Sequence, residues 1–301
     1  MKTALTVWKF SRPHTVIGSI ISICTLYVII CANNKTEHLP LLIMALIVGV
    51  TCNIFIVGIN QIADVNIDKI NKPYLPIPSG ELTIRASKII VLTALLISLG
   101  VALYLSLWLF FIIFFSAAIG WAYSMPPFFL KQHHIPAALC ISMVRGIMIN
   151  AGGFLVFNYI VNRYFGMPEN VKILTGFIVV FSIVISWFKD LPDVKGDAEY
   201  NIKTLAVLYS PKVAMIAGNI LVSLAYLFTI RMKYLDFLSQ KIPSFETKVL
   251  LYGHIILFVL FLANAFSIRL NDHQSVKKFY ARFWWFFFLE YVLYLVAYSW
   301  K

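Results

Sequence analysis

The sequence predicts an all-α membrane protein that crosses the bilayer nine times. Of its 301 residues 60% are hydrophobic and only 13% charged, and the mean hydropathy of +0.84 lies outside the range of soluble domains. The apolar residues also fall into nine runs near the length of about 20 residues that spans a hydrocarbon core. Lipid offers no partner to an open backbone group, so each run is helical; the short alternating segments of a β-barrel do not occur in the sequence.

The first run, residues 15–32, carries no charge and follows the basic stretch SRPHT; with no small-residue cleavage site after it, it reads as a span and not a removable signal. The second, 41–63, is also uncharged. The third and fourth, 88–106 and 107–124, follow one another without a breaker. The fifth, 137–157, contains Arg145; the sixth, 171–190, ends in Lys189 and Asp190. The seventh and eighth, 212–231 and 249–269, close on Arg231 and Arg269, and the ninth, 283–300, carries Glu290. Together they make one transmembrane domain over residues 1–301.

Basic residues set the topology. Sixteen Lys and Arg lie at the amino terminus and in the loops after even-numbered spans; eight, among them Lys35 and Lys301, lie on the opposite side. The positive-inside rule therefore places the amino terminus and the even-numbered loops on the cytoplasmic or stromal face. The formal net charge of +12 is read as topology and lipid-headgroup contact, so no nucleic acid is expected as a partner. Cys24, Cys31, Cys52 and Cys140 all sit inside apolar runs without metal-site or disulfide spacing, and read as small core residues.

The acidic residues gather after spans two and six, which open on the same face. Asn60, Asp64 and Asp68 recur every four residues, and Asp190, Asp193 and Asp197 are spaced three and then four; such spacings bring side chains to one helix face. The D-x-x-x-D pairs Asp64/Asp68 and Asp193/Asp197 are offset by the same 129 residues, a hint of duplicated halves. Clustered carboxylates at a helix C-terminus oppose both one another and the helix dipole, so positive partners are required. Ordinary salt bridges to Lys72, Lys189 and Lys203 are one solution. The other is divalent cations: Mg²⁺ takes one or two carboxylates plus substrate phosphates, and two facing stripes would suit two Mg²⁺ bridged by a diphosphate.

Arg145 lies about eight residues into its span, roughly 12 Å deep, where a charge marks a cavity-lining site or a structural pair with an acid such as Glu290. Arg12, Tyr123, Ser124 and Lys131 flank spans on the same face, either as headgroup anchors or as cations and aromatics around an anionic substrate. His133 and His134 read as interfacial.

NQIADVNID (60–68) resembles the first aspartate-rich motif of the UbiA superfamily of intramembrane prenyltransferases, and KDLPDVKGD (189–197) resembles the second. Within that superfamily IDKINKPYLP, FKDLPDVKGD, VRG at 144–146 and RPHT at 12–15 are most similar to the homogentisate prenyltransferases of tocopherol and plastoquinone synthesis. PYLPIPSG (73–80) echoes the chlorophyll synthase branch, and Asn201 stands where many relatives carry Gly. The resemblance implies nine helices around a central cavity, open sideways to lipid and capped on the cytoplasmic side. It implies Asn60, Asp64, Asp68, Asp193 and Asp197 as catalytic Mg²⁺ and diphosphate ligands, with two ions expected. Lys131, Arg145 and Lys203, and less directly Lys72, Lys189 and Arg12, would contact phosphate; Tyr123, Asn150 and Trp187 are candidate substrate contacts. The implied reaction transfers a prenyl group from a prenyl diphosphate to an aromatic acceptor, homogentisate with loss of its carboxylate, in a bacterial inner, thylakoid or plastid membrane; 4-hydroxybenzoate, another phenol and chlorophyllide are alternative acceptors. A polytopic transporter is the alternative of another class, although its acids would lie at mid-membrane and not at one interface.

Overall fold

The structure, a computed structural model, describes residues 2–32 and 38–300; Lys35 and Lys301 of the charge count lie outside them. Among the described residues, nine helices are long and apolar enough to cross a membrane. Eight are single helices: α2 (Pro13–Ala32), α3 (Leu39–Ala63), α5 (Ile84–Leu105), α6 (Leu107–Ser124), α9 (Glu169–Phe188), α12 (Pro211–Ser239), α13 (Phe245–Phe266) and α14 (His273–Tyr298). The fifth span is continuous but composite: α7 (His134–Ser142), a π-helical stretch Met143–Gly152, then α8 (Gly153–Asn162).

The boundary between the third and fourth spans rests on Ser106. It turns extended, at φ −170° and ψ 139°, and its Oγ accepts from Trp108 N at 3.2 Å, so one residue ends α5 and caps α6. Spans seven and nine are longer than hydropathy predicts, because charges on one face conceal an apolar face. In α14 the added first turns contain Lys277, Lys278 and Arg282 but bury Val276 and Phe279. In α12 Lys233 is buried against Asn170 and Asp236.

Packing runs as a ring. Helix α2 touches α3 and α14, α3 touches α5 and α6, α6 meets the fifth span, and the circuit closes through α9, α12 and α13 to α14. One arc is solid: Phe181 stacks on Phe283 at 4.3 Å and 5°, with Phe188, Phe279 and Tyr226 around them. Lipid is as apolar as these rings, so shape-matched contact holds the arc, each aromatic pair contributing about 0.5–1.5 kcal/mol. Gly146 lets the fifth span meet α9 closely, since a Cβ there would lie 2.5 Å from Val179 Cγ2. On the other side, α2, α3, α6, the fifth span and α14 stand apart around a cavity.

Short helices close one end of the ring. Helix α1 (Lys2–Phe10) lies against the end of α3, with Phe10 fully buried beside Phe55, Ile59 and Val91. Helices α4 (Val65–Asn71), α10 (Val194–Glu199) and α11 (Leu205–Leu208) complete the cap.

Candidate functional site

The cavity of about 1170 Å³ opens beneath this cap, and Asn60, Asp64, Asp68, Asp190, Asp193 and Asp197 all line it. Its walls below are largely apolar. The acidic stripes are not uninterrupted helix faces. Helix α3 stops at Ala63, Asp64 takes φ −95° and ψ 10°, and α4 starts at Val65, yet backbone bonds from Asp64 to Asn60 (2.9 Å) and Asp68 to Asp64 (2.7 Å) carry through the bend. Asp193 takes φ −101° and ψ 0° immediately before α10, and Asp197 N donates to Asp193 O at 3.1 Å. Positions 129 residues apart therefore share one local geometry, an aspartate at the bend and a second one turn into a short helix.

Asn71, which sequence reasoning did not single out, ties the two short helices together. Its amide donates to Asp197 Oδ1 at 3.3 Å and its Oδ1 accepts from Gly196 N at 3.0 Å. Gly196 permits this approach, since a Cβ there would stand 2.4 Å from Asn71 Oδ1. The G in VKGD was the available signal. Gln61 also has a structural role: its Nε2 donates to Phe10 O at 2.5 Å, fixing the α1–α2 turn where Arg12 holds a left-handed φ of 52° and lines the cavity.

Three lysines neutralise part of the acid. Lys131 pairs with Asp64, Lys72 with Asp193, and Lys189 with Asp190 at 2.7 Å; Lys72 also stands 3.9 Å from Asp68. Asn60 Nδ2 donates to Asp64 Oδ2 at 3.0 Å. These are not exposed surface bridges, for the Lys131 and Asp64 side chains are only 5% and 15% exposed. Burial opposes the charge on Lys72, but Asp193 and Asp68 outweigh it and lift its pKa above the ordinary value. At Lys131 burial outweighs Asp64 and holds the pKa below it. Burial raises Asp68, and burial together with Asp190 pushes Asp197 up to about 8.

The donor set suits a hard cation. Among the described residues no three His, Cys, Asp or Glu side chains already converge as a metal cage. However, Asp68 Oδ2 is buried without a hydrogen-bond partner, and all the carboxylates and Asn60 offer oxygen. That fits Mg²⁺, which needs only one or two carboxylates when a diphosphate completes its shell.

Several sequence candidates lie elsewhere. Lys203 is exposed and absent from the cavity wall; its backbone bridges to Gln132 and His134 across the cap. Asn150 is buried between Thr175 (2.7 Å) and Tyr291 (2.9 Å), joining three spans and not facing the cavity. Trp187 packs against the aromatic core, also outside the wall. Both were expected as substrate contacts, but helix rotation turns them away from the cavity. Tyr123 does line the wall, with Lys189 Nζ 5.9 Å from its ring centroid. Glu290 is not the partner of Arg145: it meets His254 at 2.8 Å, both fully buried. Arg145 lies over Trp284 and Phe287, at 5.2 and 5.0 Å. His14 and Trp284, which the sequence reading passed over, belong to the wall.

Comparison with known proteins places the chain in a family. The chain is 36% identical to the homogentisate phytyltransferase of Synechocystis sp. over 99% of this chain and 96% of that one. It is 34% identical to the chloroplastic homogentisate phytyltransferase 1 of Arabidopsis thaliana, covering 95% and 73%. The fold matches that of a UbiA homolog from Archaeoglobus fulgidus, solved with DMAPP and Mg²⁺, at a TM-score of 0.66 and 15% identity over 95% and 99% of the chains. The sequence profile of the UbiA prenyltransferase family matches residues 21–287, and the chain belongs to that family: it is a multi-pass membrane prenyltransferase.

Proposed function

We propose that this enzyme transfers a long prenyl group from its diphosphate to homogentisate, with loss of the acceptor carboxylate as CO₂, using two Mg²⁺ ions. The observation that carries the reading is the pairing of two matched aspartate-led helices, α4 and α10, over one mainly apolar cavity. The relatives named above act on homogentisate, which supports this acceptor over other phenols.

In this reading Asn60, Asp64, Asp68, Asp193 and Asp197 hold the ions, which when bound neutralise charge on the departing diphosphate. Lys72, Lys131, Lys189 and Arg12 contact its oxygens; the exposed side chain of Lys203 lies outside this set. The C–O bond of the donor breaks with its electron pair leaving on diphosphate, and the electron-rich phenol ring attacks the allylic cation at carbon; the ring proton lost on rearomatisation balances the proton taken up by the side-chain carbon as it releases CO₂. Apolar walls keep water from that cation, and Tyr123 presents a ring face near the cap. The isoprenoid tail lies among the spans because it is as apolar as the bilayer. The excess of Lys and Arg on the capped side supports a cytoplasmic or stromal mouth.

Purified protein in lipid vesicles, given Mg²⁺, a C20 prenyl diphosphate and homogentisate, is expected to release diphosphate and form a decarboxylated prenyl quinol. Geranylgeranyl, phytyl and solanesyl diphosphates, each tested against homogentisate, 4-hydroxybenzoate and chlorophyllide, define donor and acceptor. Product with chlorophyllide alone would overturn the acceptor. No product with any pair, alongside Mg²⁺-independent solute uptake, would overturn the whole proposal.

A further inference from the structure

Arg145 lies deeper in the cavity than the other cations that no carboxylate pairs, Arg12 and Lys277, which stand at the cap end of α2 and α14. It lies on the π-helical stretch Met143–Gly152, eleven residues beyond His134, so its backbone is about 16 Å along the span. Lys72, Lys131 and Lys189 each meet an acid. Among the described residues Arg145 meets none, and its guanidinium forms no hydrogen bond.

Its surroundings support the guanidinium without neutralising it. Trp284 and Phe287 present their rings to it, and Trp284 is itself braced by His14 at a centroid distance of 4.8 Å. Gly18 lies on the remaining side, where a Cβ would be in ordinary contact with Arg145 Nη1 at 3.5 Å and would crowd the Phe287 ring at 3.2 Å. Cation–π contact offsets only part of the desolvation of a charge in an apolar wall. The rest must come from an anion that arrives with a ligand.

Two anions enter this cavity in the proposed reaction. The diphosphate belongs at the cap, where the aspartates, three lysines and Arg12 converge. Arg145 lies deeper, among aromatic rings that match a planar phenol, and its N–H fork suits a carboxylate. We propose that Arg145, supported by Trp284 and Phe287, is the site that binds the carboxylate of a phenolic-acid acceptor and not the diphosphate. This rests on the reading of the enzyme as a prenyltransferase acting on homogentisate.

The test is equilibrium binding to the detergent-purified full chain with Mg²⁺ and a non-hydrolysable prenyl thiodiphosphate. Homogentisate and 4-hydroxybenzoate are each compared with their amides, in wild type, Arg145→Gln and Arg145→Lys. Wild type is expected to prefer homogentisate over its amide by at least about tenfold. Arg145→Gln should erase that ratio by weakening the acid alone, Arg145→Lys should keep part of it, and thiodiphosphate affinity should change by less than about twofold. An undiminished acid-over-amide ratio in both variants, or loss of thiodiphosphate affinity in its place, would overturn the assignment. An Arg145-dependent preference for 4-hydroxybenzoate with none for homogentisate would uphold the carboxylate site and overturn the proposed acceptor instead. If Arg145→Gln does not fold, the Lys variant decides between the two outcomes.

Discussion

Asp197→Asn should make the metal-free protein more stable while making it a worse enzyme. Asp197 is 6% exposed, its carboxylate accepts from the Asn71 amide at 3.3 Å, and burial with Asp190 pushes its pKa up to about 8 from an ordinary 3.8. Asp193 adds to the rise, while Lys189 and Lys72 oppose it. The folded state thus holds this proton more tightly than the unfolded chain. Its contribution to stability is complete below about pH 4 and is lost as pH rises through about 8. At pH 7 holding this proton in the folded state, when the unfolded chain would release it, costs at most about 4 kcal/mol. At about 2 °C per kcal/mol for a chain of this size, the Asn variant should unfold up to about 8 °C higher in metal-free buffer at pH 7. Calorimetry from pH 4 to 8 should show wild-type stability falling and the variant falling less; Asp68 and Asp190, also raised by burial, keep part of the slope. Mg²⁺ with a thiodiphosphate should displace the proton from wild type, visible in titration calorimetry as heat that depends on the buffer, and this should shrink in the variant. An unchanged or lower midpoint for Asp197→Asn, with equal pH slopes, would refute the reasoning.

Three further outcomes follow from the same geometry. Asp64→Ala and Asp193→Ala, each removing the aspartate at a motif bend, should cost about 10³-fold or more in kcat/KM with helix content retained; near-normal turnover would return both residues to a purely structural ion-pair role. His254→Ala leaves Glu290 buried without its partner and should destabilise by about 3–5 kcal/mol, while turnover per folded molecule stays within about threefold, since neither residue lines the cavity. Gly196→Ala forces a Cβ to 2.4 Å from Asn71 Oδ1 and should part α4 from α10, read as a higher Mg²⁺ requirement in an activity titration with a nearly unchanged unfolding midpoint.

The fold was legible wherever hydropathy alone decides it. Lipid imposes helices on long apolar runs, so nine spans could be counted and even the 106/107 junction placed, although the sequence shows no breaker there. Hydropathy failed where a helix carries charge on one face, as in the first turns of α14, because averaging along the chain hides a periodic apolar stripe. The site was legible in residue type and spacing but not in its pairings. Motif spacing located the aspartates; which lysine meets which aspartate depends on how far the connections reach, and Lys131 meets Asp64 at a sequence separation of 67. Depth alone suggested that Arg145 needs an acid such as Glu290, whereas helix rotation gave Glu290 to His254 and turned aromatic rings toward Arg145. Asn150 shows the converse: a polar residue in a span needs a partner, and the nearest were Thr175 and Tyr291, so it joins helices and does not face substrate.

Charge balance connects the substrate-free site with the proposed loaded one. Five aspartates, Asp64, Asp68, Asp190, Asp193 and Asp197, face Lys72, Lys131, Lys189, Lys277 and Arg12, so the cap is close to neutral once metal has displaced the Asp197 proton. A prenyl diphosphate adds about three negative charges, so entry without metal would concentrate roughly three uncompensated charges in a region walled by apolar side chains. One Mg²⁺ removes about two of those charges; two ions remove all of them. The lysines that pair with Asp64 and Asp193 are then free to turn from carboxylate to phosphate as the ions take their place, and the same cations serve both states. Arg145 stands outside this balance, and two metals with the five cap cations already neutralise the donor without it. An additional positive charge placed deeper among aromatic rings is neutralised only if the acceptor brings a negative charge of its own, and this favours a phenolic acid over a neutral phenol as the second substrate.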